Sequence, residues 1–303
     1  MSRESADVQD GSMETVSRSE RIGRKLGLGD WAFSGVSQLL LLVWAFLVIF
    51  PFLWMLMTSF KSDQEILFSP WRIPHHLYWD NFARAWNQAH IGRYFLNTLI
   101  VLSGSLTGTL LISAMASYVL ARFEFPGRGF IFILFVVGLM FPVFLALVPL
   151  FFLVQDLHMS GTYQGLILVY IAYSLPFTIF FLTGFFKTLP SEVAEAGIID
   201  GASQFRVFFD IMLPMAKPGL IAMGIFNFLG QWNQFLLPLV LMPNANRYLL
   251  SQGLAALAIQ QGYQNDYGAL FAALVITMLP TLVVYILFQK RLESGLTAGA
   301  LKG

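Results

Sequence analysis

The sequence predicts an all-α integral membrane protein with six transmembrane helices. Of its 303 residues, 57% are hydrophobic, 16% are aromatic and only 12% are charged, and the mean hydropathy is +0.68. A soluble domain is about 25% charged, so this chain has too little charge to cover a water-exposed surface. Its aromatic content excludes a disordered chain. The charges are clustered, and the uncharged segments between them reach the roughly 20 residues that a membrane-crossing helix needs.

Composition also excludes several functional classes. A net charge of +1 and a pI near 8.0 argue against nucleic-acid binding. The absence of cysteine excludes disulfides, thiolate metal sites and cysteine nucleophiles. The apolar runs do not alternate with polar residues as the strands of a membrane β-barrel do. We therefore expect no catalytic residue and no metal site in this chain.

Six uncharged segments are long enough to be spans. They are residues 31–60, 94–121, 129–155, 157–186, 218–246 and 267–289. Five of them contain proline, which kinks a helix, and the kinks indicate either packing geometry or a pathway that opens and closes. These prolines are Pro51, Pro142, Pro149, Pro176, Pro238 and Pro280. A seventh uncharged segment, 248–265, contains four glutamines and is expected to be interfacial or re-entrant.

The distribution of Lys and Arg predicts the orientation. If the N-terminus is cytoplasmic, most of the 18 basic residues fall on the cytoplasmic side, so both termini are expected there. Residues 1–30 are polar and are expected to form a disordered cytoplasmic tail, followed by a six-helix membrane domain over 31–303. The first span is too long for a cleavable signal peptide and is expected to be an uncleaved signal anchor.

Small residues mark one face of the second span. Gly104 and Gly108 form a GxxxG pattern, and small hydroxyl residues repeat at a spacing of four. They are Ser105, Thr109, Ser113 and Ser117. Such a face lets another helix approach closely, so we expect a packing interface rather than a ligand site.

Polar residues in the fifth span have two interpretations. Asn227, Gln231 and Gln234 are spaced to share one helical face, next to Trp232 and Asn233. Amides at membrane depth need either partners on other helices or a water-filled cavity. We favour a lining that recognises hydroxyl-rich solutes. The same two interpretations apply to Tyr170 and Tyr173 in the fourth span, which share a face with Ser174.

The spans contain no Asp, Glu, Lys or Arg. Proton-coupled carriers generally use such a residue as a relay, so this class is disfavoured. The chain also lacks the glycine-rich P-loop pattern that binds ATP phosphates. If it drives uphill transport, we expect the energy to come from another subunit.

The cytoplasmic loop 188–217 is expected to form a helix–turn–helix. Ser191 is the predicted N-cap of the first helix, and Gly201 is placed to end it in a left-handed conformation. Ser203 is expected to cap the second helix, which Pro214 should end, and Pro218 is the expected first residue of the fifth span. At helical spacing, four apolar residues form one face of the second helix. They are Phe205, Phe208, Phe209 and Met212. A simpler interpretation is an amphipathic loop lying on the membrane.

This loop resembles the EAA loop of binding-protein-dependent ABC importer permeases. The resemblance rests on residue type and spacing over nine positions, which are Glu195, Ala196, Gly197, Asp200, Gly201, Ala202, Ile211, Leu213 and Pro214. Gly197 departs from the family pattern, where a second alanine is usual, and is expected to loosen the helix slightly. The small residues of the loop are expected to allow close approach by a partner. The resemblance implies that these nine residues couple the chain to an ATPase.

Further segments resemble the carbohydrate-importing branch of the family, of the maltose (MalG) type. They are residues 59–65, 81–82, Asn97, 121–127, 232–235, where Gln234 replaces the common Glu, and 295–303. The resemblance implies the type I ABC importer permease fold and a bacterial cytoplasmic membrane location. It also implies a second, similar permease, two ATPase subunits that hold ATP and Mg²⁺, and an extracytoplasmic solute-binding lipoprotein. Asn97 joins the candidate pathway residues on this basis.

The substrate class stays open at this point. The EAA loop does not separate sugar import from peptide or amino-acid import, and a stand-alone secondary carrier is a less favoured alternative. Residues 260–263 resemble permeases for amino-sugar oligosaccharides. No cofactor is expected in this chain itself.

Overall fold

The computed structural model describes residues 28–264 and 266–300, with side chains described for 35–260 and 266–289. The predicted tail 1–30 therefore lies almost wholly outside the described residues. Over the described ranges the chain is helical, without β-strands. The helices are α1 (Leu28–Thr58), α2 (Asp63–Phe68), α3 (Asp80–Asn87), α4 (Ile91–Arg122), α5 (Arg128–Met140), α6 (Val143–Asp156), α7 (Tyr163–Thr188), α8 (Ser191–Ile199), α9 (Gln204–Met215), α10 (Lys217–Trp232), α11 (Leu236–Leu241), α12 (Leu250–Gln264) and α13 (Tyr267–Ala300).

Four helices are long and apolar enough to cross a membrane: α1, α4, α7 and α13. Two further pairs meet the same criteria but are sharply bent, by 103° between α5 and α6 and by 71° between α9 and α10. The described residues therefore contain between four and six spans. The chain divides into two compact units between Met55 and Leu56, so α1 over residues 28–55 forms a unit of its own.

The third predicted span is not one continuous helix. α5 ends at Met140 and α6 begins at Val143, with Phe141 and Pro142 extended between them. Proline has no N–H to donate and disfavours the helical conformation of the residue before it. The expectation of a kinked helix over 129–155 is wrong, because the chain breaks at Pro142 rather than bending there.

The fifth predicted span is also interrupted. α10 ends at Trp232, and the short helix α11 contains Pro238. A continuous helix would need the N–H of residue 238 to bond to the carbonyl of Gln234, and proline has none. That carbonyl instead accepts a hydrogen bond from Ser251 Oγ at 2.8 Å. The expectation of one helix over 218–246 is therefore wrong.

The central packing of the second unit joins α4 to α7. A Cβ added to Gly104 would lie 2.9 Å from Ile167 Cδ1, and Gly108 is similarly covered by Ile171. The four small hydroxyl residues beside them, Ser105, Thr109, Ser113 and Ser117, have no exposed surface. This close approach confirms that the small-residue face is a packing interface.

At the end of the bundle remote from α8, an ion pair ties α3 to the start of α13. Arg84 Nε and Nη2 each donate to a carboxylate oxygen of Asp266 at 3.0 Å, and Arg84 also pairs with Asp80. Asn81 donates to the carbonyls of Ser59 and Lys61, both at 2.9 Å. The segment between α1 and α4 is therefore fixed to the last long helix.

Candidate functional site

The first candidate site is the loop that contains α8 and α9. The helix α8 begins at Ser191, and Pro190, which has no capping side chain, occupies the N-cap position. The prediction of Ser191 as N-cap is therefore wrong by one residue. The reason is local, because Leu189 and Pro190 are both extended and the helix starts at the next residue.

Gly201 ends α8 as the sequence predicted. Its φ is +85°, in the left-handed region that glycine adopts without steric cost. The N–H groups of Gly201 and Ala202 donate to the carbonyls of Ile198 and Gly197, both at 3.0 Å. This pair of bonds is the Schellman motif, which satisfies the last carbonyls of the helix.

Gly197 has a role that the sequence interpretation missed. It is buried, and a Cβ placed on it would lie 2.6 Å from Ile211 Cδ1. The close approach that this glycine allows is therefore between α8 and α9 within the chain. Because Gly197 is buried against α9, its surface is not available to a partner, and the expectation that it loosens the helix stays a prediction.

The helix α9 departs from simple α-helical geometry. Ser203 caps it as predicted, accepting a hydrogen bond from the N–H of Arg206. Residues Val207–Met212 then form a π-turn, in which the N–H of Leu213 bonds to the carbonyl of Phe208. Pro214 has no N–H to donate to the carbonyl of the preceding turn. The π-turn lies directly before it, where this hydrogen bond of the regular α-helix is missing. The helix continues through Pro214 to Met215, so the prediction that Pro214 ends it is wrong.

The π-turn changes which side chains are buried. Phe208 and Met212 lie in the core as predicted, together with Val207, whereas Phe205 is 77% exposed and Phe209 is 45% exposed. The predicted apolar face assumed 3.6 residues per turn, and the extra residue rotates two of its four members outward. Pro218 is the second, not the first, residue of α10.

Aromatic packing fixes this loop to the long helices. The ring of Tyr118 in α4 lies 5.1 Å from that of Phe208 in α9 and 5.8 Å from that of Phe186 in α7. Arg122, also in α4, donates to the carbonyl of Leu189. Displacement of the loop would therefore be transmitted to α4 and α7, because close-packed side chains transmit strain.

The outer surface of the loop combines apolar and acidic side chains. Ile199 is 84% exposed and Phe205 is 77% exposed, on either side of Gly201. Four carboxylates of the same loop are also exposed, at Glu192, Glu195, Asp200 and Asp210. Ile199 and Phe205 were not among the predicted coupling residues, although apolar residues beside an exposed glycine turn are a signal for them. Of those predicted, Glu195, Ala196, Asp200, Gly201 and Pro214 are exposed; Gly197, Ala202, Ile211 and Leu213 are wholly or partly buried.

The second candidate site is a cavity of about 910 Å³ between α5, α6, α7, α10 and α11. Its wall is mostly aliphatic and aromatic, and none of its lining residues is charged. Polar groups lie on one side of it, at Tyr173, Ser174, Asn227, Gln231 and Gln234. The structure thus brings four of the eight predicted pathway residues to one cavity.

Two of the other predicted pathway residues have structural contacts elsewhere. Asn97 accepts a hydrogen bond from Tyr163 at 2.8 Å and donates to the carbonyls of Asn246 and Tyr248. Tyr170 is 1% exposed, and its hydroxyl has no hydrogen-bond partner among the described residues. Neither residue lines the cavity.

The remaining two also lie outside the cavity lining. Trp232 is buried and donates from Nε1 to the carbonyl of Thr277 at 3.2 Å. Asn233 is exposed and donates to the carbonyl of Leu229 at 2.8 Å. Gln234 lies beyond the end of α10, so it reaches the cavity through the break rather than along one helical face.

Two amides of α10 have hydrogen-bond partners on other helices and also lie at the cavity. Gln231 accepts a hydrogen bond from Ser105 and donates to Ser174 Oγ at 3.0 Å, which links three helices. Asn227 donates to Thr178 Oγ1 at 2.9 Å. Both amides therefore join helices together and also line the cavity.

Residues 108–298 match the family described as the binding-protein-dependent transport system inner membrane component. The chain belongs to this family. The resemblance seen in the sequence is thereby confirmed, and this inner membrane component is a multi-pass transport subunit rather than an enzyme. As the family description states, the transport system to which it belongs depends on a binding protein.

Curated relatives cover most or all of this inner membrane component. It is 49% identical over 302 residues, the whole of both chains, to the diacetylchitobiose uptake system permease NgcG of Streptomyces coelicolor. It is 35% identical to the trehalose/maltose transport permease MalG of Thermococcus litoralis, over 88% of this chain and 98% of that protein.

A solved structure has the same fold. It is a bacterial ABC transporter involved in the import of the acidic polysaccharide alginate, with a TM-score of 0.76 and 19% sequence identity. The match covers 87% of this chain and 98% of the other. At this identity the similarity establishes the fold alone.

Proposed function

We propose that the chain is the permease subunit of an ATP-driven carbohydrate importer and that its substrate is an oligosaccharide of acetamido sugars. The observation that carries this proposal is the large cavity with uncharged hydrogen-bonding groups on one side and an otherwise apolar wall. Sugars combine hydroxyl groups with apolar ring faces, and such a cavity offers contacts for both. The 49% identity to a diacetylchitobiose permease over its full length supports the substrate class.

The proposed assembly contains this chain and a second, similar permease as a heterodimer. Two ATPase subunits, which bind ATP and Mg²⁺, act on the cytoplasmic side, and a solute-binding lipoprotein delivers substrate from outside. Within this proposal the chain has six spans: the four long helices, the bent pair α5–α6, and α10 together with α11. Both termini are cytoplasmic.

The loop α8–α9 is the proposed ATPase contact. Closure of the ATPases would displace the exposed surface around Ile199, Gly201 and Phe205. The contacts of Phe208 with Tyr118 would carry this motion to the long helices, and the breaks at Pro142 and after Trp232 would allow the cavity to open outward. This mechanism is rigid-body alternating access driven at an interface.

Substitution of Gly201 tests the coupling role. Gly201→Asp leaves the chain inserted in the membrane, but we expect it to abolish both uptake and substrate-stimulated ATP hydrolysis, because the added carboxylate lies on the contact surface. The measurement is uptake and ATP hydrolysis by the complete complex in proteoliposomes with its binding protein.

Gly127→Asp is the matched control for this experiment. Gly127 has a φ of +87° and no atom within 4 Å of an added Cβ, and Gly201 likewise has a positive φ and open space. The two variants therefore impose the same backbone strain, and only one lies in α8–α9. Normal transport by Gly201→Asp, or equal loss of transport in both variants, contradicts the coupling role.

The same vesicles test the alternative functions. Uptake without ATP would indicate a secondary carrier, and uptake of peptides or amino acids alone would exclude the carbohydrate proposal.

A further inference from the structure

On the basis of the proposed function, we infer that the cavity selects uncharged solutes that donate a hydrogen bond to Oδ1 of Asn227. Asn227 is thus a specificity-determining residue. Two features of the second unit carry this inference. They are the fixed orientation of the Asn227 amide and the absence of charge among the cavity-lining residues.

The hydrogen bonds of Asn227 fix which atom is nitrogen. Its Nδ2 donates to the carbonyl of Met223 and to Thr178 Oγ1, both at 2.9 Å. A carbonyl oxygen can only accept, so the amide atom facing Met223 must be the NH₂ group. Both of its N–H bonds are then used within the protein.

Thr178 strengthens this orientation. Its hydroxyl donates to the carbonyl of Ser174 at 2.7 Å, so its single hydrogen is already engaged and it meets Asn227 as an acceptor. Rotating the amide by half a turn would place Oδ1 against two acceptors and would remove both of these hydrogen bonds. Such buried losses are costly in a site of low dielectric.

The Oδ1 atom of Asn227 is the one left available. No N–H or O–H group of the described residues donates to it, and it is not among the fully buried polar atoms that lack a partner. Asn227 retains 7% exposure and lines the cavity. The Oδ1 atom is therefore a hydrogen-bond acceptor available to the cavity, and the bonds of Nδ2 within the protein fix its orientation.

The other polar groups of the lining are also uncharged. Gln234 accepts a bond from the N–H of Phe235 through Oε1, which leaves its NH₂ group available as a donor. Tyr173 is 49% exposed and offers a hydroxyl. A hydroxyl or acetamido N–H of a sugar would satisfy Asn227, whereas a carboxylate would face an acceptor in a lining without a positive charge. An unpaired charge at membrane depth is costly, so charged solutes should be disfavoured.

The test is equilibrium binding to the complete permease–ATPase complex in lipid nanodiscs, without the binding protein, so that only the membrane complex selects. The probes are radiolabelled N,N′-diacetylchitobiose, a disaccharide of uronic acids as the anionic analogue, and deacetylated chitobiose as the cationic one. For the wild type, we expect each charged analogue to bind at least about tenfold more weakly than the neutral probe.

Variants then assign this selection to Asn227. Asn227→Leu should weaken binding of the neutral probe at least about tenfold. Thr178→Val leaves Asn227 in place but removes the hydroxyl that accepts a bond from its Nδ2. This variant should reduce the difference in affinity between the neutral and the anionic probe. Asn233→Leu is the matched control, because Asn233 is an amide near the end of α10 that also donates to a carbonyl four residues back but lies outside the cavity lining.

Equal binding of neutral and anionic probes by the wild type overturns the inference without using any variant, so a misfolded variant cannot hide it. An unchanged affinity of Asn227→Leu for the neutral probe also overturns it. So does a wild-type complex that does not bind the neutral probe either with ATP or without it. These results leave the proposed function standing if vesicles with the binding protein and ATP still import carbohydrate. Absence of any ATP-dependent carbohydrate import in those vesicles contradicts the proposed function itself.

Discussion

Gly197 and Gly201 lie in the same loop but are required for different physical reasons. Gly201 needs its positive φ and has open space around it, whereas Gly197 has ordinary helical geometry and needs the space that a side chain would fill. The first need is visible in the sequence, because a glycine at a helix end commonly adopts the left-handed conformation. The second depends on Ile211, which the fold brings across from α9.

The contact of Gly197 with Ile211 predicts a measurable coupling. Gly197→Ala alone forces Ile211 Cδ1 to move, which offsets the gain of up to about 1 kcal/mol in helix propensity. In an Ile211→Val background the obstructing methyl group is absent, so the same substitution should be stabilising. A thermal-denaturation cycle of the four proteins should give an interaction of about 1 kcal/mol. Strict additivity of the two changes contradicts this contact.

At the level of elements, the ion pair between Arg84 of α3 and Asp266, directly before α13, changes the pKa of both groups. Asp266 is partly buried, which opposes ionisation, but hydrogen bonds from Arg84 and from the N–H of Ala269 outweigh this and lower its pKa. The same pairing raises the pKa of Arg84. A carboxylate with a lowered pKa contributes stability that is complete above its ordinary value of 3.8 and is lost as the pH falls through the lowered value.

Acid should therefore loosen the contact of α3 with α13. We expect the thermal stability of the wild type to fall as the pH drops below 3.8, and Asp266→Asn to remove this part of the pH dependence. Asp80→Asn is the control, because Asp80 pairs with the same Arg84 but its side chain is 71% exposed, and exposed pairs contribute little. Equal effects of the two substitutions on the pH profile contradict the role given to Asp266.

The helix breaks at prolines differ from one another in geometry. Pro142, Pro214 and Pro238 all have the same chemistry, yet the first separates two helices, the second lies in a helix after a π-turn, and the third lies within a short helix that follows a break. Which geometry occurs depends on which group donates a hydrogen bond to the carbonyl four residues before the proline. Before Pro238 this is the carbonyl of Gln234, and its donor is Ser251, a residue of α12 that no local pattern connects to α11.

At the scale of the whole molecule, the proposed orientation has a direct test. The chain contains no cysteine, so a single introduced cysteine reports one position without background. Gln204→Cys in α9 should be labelled by a membrane-impermeant maleimide only from the cytoplasmic side. Ala245→Cys should be labelled only from the outside. Both positions are exposed. Labelling of both from the same side contradicts the proposed number of spans.

Features that depend on composition and on near neighbours were predictable from the amino-acid sequence. Long uncharged segments specified a helical membrane protein, because hydropathy and length suffice for a span. The left-handed turn at Gly201 and the cap at Ser203 were also correct, since their hydrogen bonds lie within a few residues. The loop pattern led to the right family for the same reason, as type and spacing are local properties.

Which polar residues contact one another depends on how the helices pack. Asn227, Gln231 and Trp232 lie in α10 and Asn233 directly follows it, yet two line the cavity, one is buried elsewhere and one is exposed. Helical spacing gives the direction of a side chain relative to its own helix, but not what other helices place opposite it. The hydroxyls of Ser105, Ser174 and Thr178 fix the amides in place, and they come from two other helices. Long-range packing, not local pattern, therefore determined the cavity and the acceptor that it presents.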